Sequence, residues 1–175
     1  NKPRPEGGVY HFLLGDDGMA DYTDYVIKGK GGKNPVKGLA EEEVEHIKSW
    51  RKAFNEGLSA EDRSRLLFLS EKIDALWQAH IELQRSMRER TTDPLSIYGY
   101  EIEGEAVTTT AAKEAIWHGE QYSYETRASS PYRRLKLVMD YWCALWFWPI
   151  EEATMLPTRE EFIAELGLIL DTEVL

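Results

Sequence analysis

Apolar residues recur along this chain at helical spacing, and the longest such pattern is Leu66, Leu69, Ile73, Leu76, His80, Leu83 and Met87. Steps of three and four residues alternate throughout, which is a heptad seam over three repeats. Ser59 is a good N-cap before it, with Glu61 and Asp62 in the first turn, and no Gly or Pro follows before Asp93-Pro94. The pattern predicts a helix of about 31 residues, roughly 45 Å long. A shorter helix is predicted just upstream, from near Ala40. Glu41, Glu42 and Glu43 fill its first turn, where the helix dipole favours carboxylates, and Val44, Ile47, Trp50 or Arg51, and Phe54 form its stripe. Asn55-Glu56-Gly57-Leu58 reads as a tight connection, so residues 39–92 are expected to form an antiparallel α-hairpin with coiled-coil-like packing.

The remaining pattern is helical at the C-terminal end and weak elsewhere. Ser130-Pro131 is a start signal, with Ser at the cap and Pro at the first helical position. The helix it opens is amphipathic through Arg133, Arg134 and Lys136, then apolar all round over residues 141–148, which predicts burial on every side until Pro149 bends or ends it. Thr158 with Glu161 is a capping box for a last helix whose inner face is Phe162, Ile163, Leu166, Ile169 and Leu170. Residues 93–130 read as an acidic connection, containing Tyr98-Gly99-Tyr100, Glu101, Glu103, Glu105 and a short helix from Thr109 to His118. Residues 1–38 read as irregular, with at most one short strand over residues 9–14 that ends in the turn Gly15-Asp16-Asp17-Gly18. The expected fold class is mainly α: a long α-hairpin packed with a Trp-rich helical part over residues 131–175, compact as a whole.

Composition narrows the function classes. The 175 residues are 42% hydrophobic and 30% charged, with 31 acidic against 21 basic side chains and a net charge of −10. So acidic a chain is not expected to be a free-standing reader of nucleic acid. The charge is uneven, however: residues 1–40 carry +1, 41–90 carry −2, 91–130 carry −5 and 131–175 carry −4. A polyanion would therefore have to meet the first half of the chain or the cluster at Arg133, Arg134 and Lys136. The single cysteine, Cys143, excludes an intrachain disulfide and a multi-Cys zinc module, and suits a reducing cytoplasm. No apolar run approaches 20 residues, so no membrane span and no membrane partner are expected. The chain begins Asn1-Lys2-Pro3, which suggests a piece of something longer.

No constellation in the chain carries chemistry. Residues 28–38 are rich in Gly and Lys but contain neither a dinucleotide-binding fingerprint nor a phosphate loop, and read as a basic loop. His11, His46, His80 and His118 fall on different elements, with His80 expected as a packed seam residue, and Asp16, Asp17, Asp21 and Asp24 do not match a calcium loop. No Asp-x-Lys or Glu-x-Lys nuclease element occurs. Cys143 lies in the apolar run, where a thiol is an inert small hydrophobe. Trp142, Trp146 and Trp148 offer either a base-stacking surface or core, and their continuous apolar setting favours core. No catalytic, cofactor-binding or metal residue is assigned.

The string Tyr132-Arg133-Arg134-Leu135-Lys136-Leu137-Val138-Met139-Asp140-Tyr141-Trp142-Cys143-Ala144-Leu145-Trp146-Phe147-Trp148-Pro149-Ile150, followed by Leu156-Pro157-Thr158-Arg159, resembles a segment of very large bacterial class I DNA methyltransferases of type IIG restriction-modification and phage-defence systems. His11-Phe12-Leu13-Leu14 with Gly18-Met19-Ala20-Asp21-Tyr22, Trp50-Arg51-Lys52-Ala53-Phe54, the helix around residues 69–80 and Thr91-Thr92-Asp93-Pro94 are similar to other pieces of the same enzymes. The resemblance implies adenine-N6 methylation with S-adenosylmethionine in the parent enzyme. The catalytic Asn/Asp-Pro-Pro-aromatic signature and the Gly-rich cofactor motif of that family are absent, Asn34-Pro35-Val36 being no substitute. The resemblance therefore implies a non-catalytic helical insertion or spacer that binds no cofactor itself. Its partners would be the other domains of the parent and, through the parent, DNA. Lys28, Lys30, Lys33, Lys37, Arg85, Arg88, Arg90, Arg133 and Arg134 are the candidate phosphate contacts. The alternative is a stand-alone helical adaptor that presents the α-hairpin to a protein partner.

Overall fold

A computed structural model describes residues 4–22, 40–93, 108–122 and 130–171, with the side chains of 120–122 excepted. These residues are mainly helical and contain no strand. The helices are α1 (Glu41–Phe54), α2 (Ala60–Thr91), α3 (Thr110–Ile116), α4 (Pro131–Ala144) and α5 (Arg159–Ile169). Two 3-10 segments, His11–Leu13 and Ile150–Met155, and a π turn, Trp117–Tyr122, complete the described elements. The predicted basic loop around Lys28 and the acidic stretch around Glu101 lie outside the described residues.

The predicted caps place the helix starts. Ser59 accepts from Asp62 N–H at 3.0 Å, and Asp62 returns the bond to Ser59 N–H at 3.2 Å, so α2 opens on a reciprocal cap. Ser130 accepts from Arg133 N–H at 3.2 Å. Thr158 and Glu161 form the expected capping box. The N-cap of α3 is Thr109, which accepts from Ala112 N–H. With α2 32 residues long and only a five-residue connection before it, α1 and α2 suit a helical hairpin.

The chain divides into two compact units, and the division falls within α2 and α4. The first unit comprises Asn1–Ile73 and Lys136–Leu175. Val44, Ile47, Trp50 and Phe54 of α1 are all buried, which resolves the alternative at 50/51 in favour of the tryptophan. This stripe packs on the segment after Pro149 and on α5: α1 lies against Ile150–Met155, Trp50 Nε1–H donates to Pro157 O at 2.7 Å, and the Phe54 ring meets Phe162 at 5.5 Å. Leu66 and Leu69 of α2, Val138 and Leu145, and Ile163 and Leu166 of α5 fill the same core. Arg51, beside the stripe, donates to Ala20 O at 2.9 Å and pairs with Asp21.

One reading left open is settled in this unit and one expectation fails. Residues 9–14 form no strand. Leu13 N–H and Leu14 N–H turn back to Tyr10 O and His11 O, Tyr10 N–H reaches the buried Ser70 hydroxyl, and Trp142 Nε1–H takes Leu14 O. The backbone groups that a sheet would use are thus spent on a 3-10 turn and on helices, and no second strand is present among the described residues to pair with. The apolar run 141–148 is also not a helix buried on every side. Helix α4 stops at Ala144: Pro149 has no N–H to give the Leu145 carbonyl and its ring crowds that group, and Trp146 and Phe147 close i→i+3 bonds to Cys143 O and Ala144 O instead. Leu145 is fully buried, whereas Cys143 is exposed and Phe147 is 81% exposed.

The turn predicted at residues 15–18 forms one residue on, closed by Met19 N–H on Asp16 O at 3.1 Å, and it is sterically tight. Gly18 N–H donates to Asp16 Oδ1 at 2.8 Å. A Cβ at Gly15 would stand 1.9 Å from Asn55 Oδ1 and 2.7 Å from the Phe54 ring, and one at Gly18 would stand 2.8 Å from the Trp146 ring. Glycine at both positions is required by close approach.

The second unit is Asp74–Leu135. Met87 and Leu135 are buried in it, while Leu76, His80 and Leu83 of the seam are half-buried. Asp93, just past the end of α2, accepts from Thr108 N–H at 3.1 Å and pairs with Lys113 of α3. The Lys113 ammonium, its largest influence, together with the Thr108 bond holds the Asp93 carboxyl below the usual carboxylate range. The Tyr132 ring at the start of α4 stacks on His80 of α2 at 5.6 Å. These contacts close the unit on itself.

Candidate functional site

The phosphate-contact candidates that are described all belong to the second unit. Arg85, Arg88 and Arg90 project from the last two turns of α2 and are exposed; Arg133 in the first turn of α4 is exposed and Arg134 half-buried. Residues 84–91 carry three arginines against one glutamate, so this end of α2 is locally basic although the chain is acidic. Arg85, Arg88 and Arg133 form no ion pair among the described residues. Lys28, Lys30, Lys33 and Lys37 lie outside the described residues.

Ring stacking adds a feature that the heptad pattern concealed. Trp77 sits one position off the seam, 5.8 Å from the His80 ring, and His80 in turn stacks on Tyr132. Trp77 and Tyr132 are 42% and 38% exposed. The sequence signal available for this cluster is an aromatic residue next to, rather than on, an apolar seam. Trp142 and Trp148, by contrast, have their indole N–H groups committed to Leu14 O and Glu152 O, and Trp146 packs over Gly18.

A cleft of about 380 Å³ opens in the first unit between Leu13, Leu14, Phe54, Leu66, Phe162 and Ile163, with Asp17, Asn55 and Arg159 at its edge. Its polar groups serve one another. Asn55 donates to Asp17 at 3.2 Å, and Arg159 pairs with Asp62 at 3.3 Å and donates to Glu56 O. Arg159 thereby ties the start of α5 to the start of α2. Asp16 and Asp21 are likewise engaged, by Gly18 N–H and by Arg51, and Asp24 lies outside the described residues.

Among the described residues no three His, Cys, Asp or Glu side chains converge to hold a metal ion. The Tyr141 hydroxyl donates to Glu165, and burial followed by that carboxylate pushes its pKa up, so it remains a neutral donor across the physiological range. Among the described residues no helix is long and apolar enough to cross a membrane. No protein-family model matches the chain, and neither the curated proteins nor the solved structures include a match.

Proposed function

We propose that this chain is a non-catalytic helical domain of a large cytoplasmic DNA adenine-N6 methyltransferase of a restriction-modification or phage-defence system. In this reading it braces the catalytic and target-recognition regions and touches the DNA backbone. The reading rests on the resemblance of the Trp-rich string from Tyr132 to Ile150 to a segment of that family. S-adenosylmethionine belongs to the parent enzyme, because the motifs that would bind it are not in this sequence. Exposed Arg85, Arg88 and Arg133 support the backbone contact. The bracing role is supported by Phe147, Leu168 and Met155, large apolar side chains left 81%, 79% and 67% exposed, which a neighbouring domain would cover. The same exposed residues also favour the second reading, a stand-alone adaptor for a protein partner.

A titration of the whole chain with labelled duplex DNA separates the two. Three phosphate contacts give a log–log salt slope of about −2.7, so a fourfold rise in salt weakens binding roughly 40-fold. Replacing Arg85, Arg88 and Arg133 with Glu abolishes the binding. Duplex affinity that ignores salt overturns the backbone contact, and micromolar binding of S-adenosylmethionine in calorimetry overturns the non-catalytic assignment.

A further inference from the structure

We propose that the cleft bordered by Arg159 docks a basic polypeptide segment, which seats one apolar side chain in the cleft and sets its lysines or arginines against the rim. The proposal goes beyond the DNA reading, because the partner is a polypeptide and the site lies in the unit that does not hold Arg85, Arg88 and Arg133.

The cleft is apolar within and anionic at its edge. Leu13, Leu66, Phe162 and Ile163 line it and are each at most 2% exposed, so its floor is set by the core and is in place before a partner arrives. Half-buried Leu14 and exposed Leu58 add apolar wall. A volume of about 380 Å³ is near the lower end for ligand cavities and suits a side chain rather than a large cofactor. Asp16, Asp17 and Glu56 also line the cleft and are exposed, and among the described residues Arg159 is the one cation there.

The hydrogen bonds at this rim do not cancel its charge. Asp16 accepts from Gly18 N–H and Asp17 from the Asn55 amide, neutral donors that hold a carboxylate in place without neutralising it. Asp16, Asp17 and Glu56 form no ion pair among the described residues. Arg159, by contrast, is paired with Asp62 at 3.3 Å. The positive ends of α2 and α5, which border the cleft, are met by the Asp62 and Glu161 carboxylates. Three negative charges are therefore left unbalanced at the edge of an apolar cleft. The wider field has the same sign: the unit encodes 14 Lys and Arg against 21 Asp and Glu, a net of −7, and so attracts a cation from a distance as well.

Two features select a peptide over a small cation. The carboxylates come from two segments, the turn after Gly15 and the connection after α1, and cations strung along a chain can meet both. A polyamine offers the cations but nothing for the apolar interior.

The test is fluorescence anisotropy of the whole chain with a labelled Lys-Lys-Leu-Lys-Lys peptide, against one control with Gly for Leu and one with Glu for every Lys. The glycine peptide is expected to bind roughly fivefold more weakly, the order of a half-buried leucine, and the glutamate peptide not at all. Asp17→Asn and Glu56→Gln, exposed changes with folding checked by circular dichroism, should each weaken the leucine peptide by about two- to fivefold, the size of an exposed ion pair. Leu58→Asn should weaken the leucine peptide and leave the glycine peptide unchanged. Glu42→Gln and Glu151→Gln, exposed carboxylates of the same unit that do not line the cleft, should change neither. Failure of the native chain to bind the leucine peptide overturns the proposal. So do equal losses from Glu42→Gln or Glu151→Gln, which would assign the binding to the field of the unit as a whole. Binding that appears only after Lys28, Lys30, Lys33 and Lys37 are replaced by Gln would give the cleft to the chain itself and overturn the proposal as well. None of these substitutions touches Arg85, Arg88 or Arg133, so the duplex titration stands or falls separately.

Discussion

Phe162 and Phe147 undergo the same chemical change in very different settings, and the fold predicts opposite outcomes. Phe162 is 1% exposed, with ring neighbours Phe54 at 5.5 Å and Tyr141 at 5.1 Å. Phe162→Leu keeps most of the apolar volume but removes both ring pairs, at about 1 kcal/mol each, for a total near 2 kcal/mol. Against a domain stability on the order of 5–15 kcal/mol, that is a measurable fraction. Phe147→Leu removes a ring that already stands in water, and is expected to stay within about 0.5 kcal/mol of the native chain. Urea denaturation followed by far-ultraviolet circular dichroism reads both. With a slope of about 2 kcal/mol/M, Phe162→Leu lowers the midpoint by about 1 M, and Phe147→Leu leaves it in place. Equal losses would mean that the chain after Ala144 is packed as the uninterrupted apolar run suggested. A Phe162→Leu midpoint within about 0.2 M of native, under 0.5 kcal/mol at that slope, would refute the packing of α1 and α4 on α5.

Three further outcomes follow from named contacts. Asp62→Ala removes the acceptor of Ser59 N–H and strips Arg159 of its carboxylate, and is expected to cost about 1–3 kcal/mol; a double-mutant cycle with Arg159→Ala should show coupling, and strict additivity would disprove the link between α2 and α5. Glu161 is held below the usual carboxylate range by its bonds to Thr158, the backbone N–H first. Because its folded pKa is depressed, its contribution is present above about pH 4.3 and is lost as the pH falls through the folded value, so Glu161→Gln should flatten the acid limb of a midpoint-against-pH plot. Gly15→Ala drives a Cβ into Asn55 and Phe54 and displaces the Asn55–Asp17 bond, at a cost of about 1–3 kcal/mol by thermal or urea unfolding.

The helices were legible because their signals are local. A carboxylate or hydroxyl beside an orphan N–H acts within three residues, so Ser59, Ser130 and the Thr158–Glu161 pair mark starts that the fold respects. The burial of Val44, Ile47, Trp50 and Phe54 follows in the same way from the 3.6-residue period. What misled was continuity. An unbroken apolar run is the same string whether its far end is core or surface, and only Pro149 signals that the helix must stop short of it. The β-tolerant residues 9–14 misled for a related reason. Strand formation depends on a partner elsewhere in the chain, and here Ser70 and Trp142 take the exposed backbone groups instead.

The stacking cluster was illegible for a third reason, which also bears on how the chain's acidity should be weighed. Trp77 and Tyr132 are far apart in sequence, and each alone is an unremarkable surface aromatic; only the contact of His80 with both makes a surface of them. A net charge of −10 describes the field far from the molecule, where it opposes a polyanion. At contact, a ligand meets charges within about 10 Å, the screening length at moderate salt. At the end of α2 those charges are Arg85, Arg88 and Arg90 against Glu89. The unit that holds them is acidic all the same, residues 91–130 alone carrying −5. In the proposed reading a larger enzyme therefore delivers the DNA backbone to this end of α2, and the chain's own repulsion sets how weakly it binds DNA alone. Lowering the salt should nonetheless strengthen duplex binding, because phosphate contacts at Arg85, Arg88 and Arg133 release counterions. A duplex affinity that does not rise as the salt falls would leave these arginines without a role.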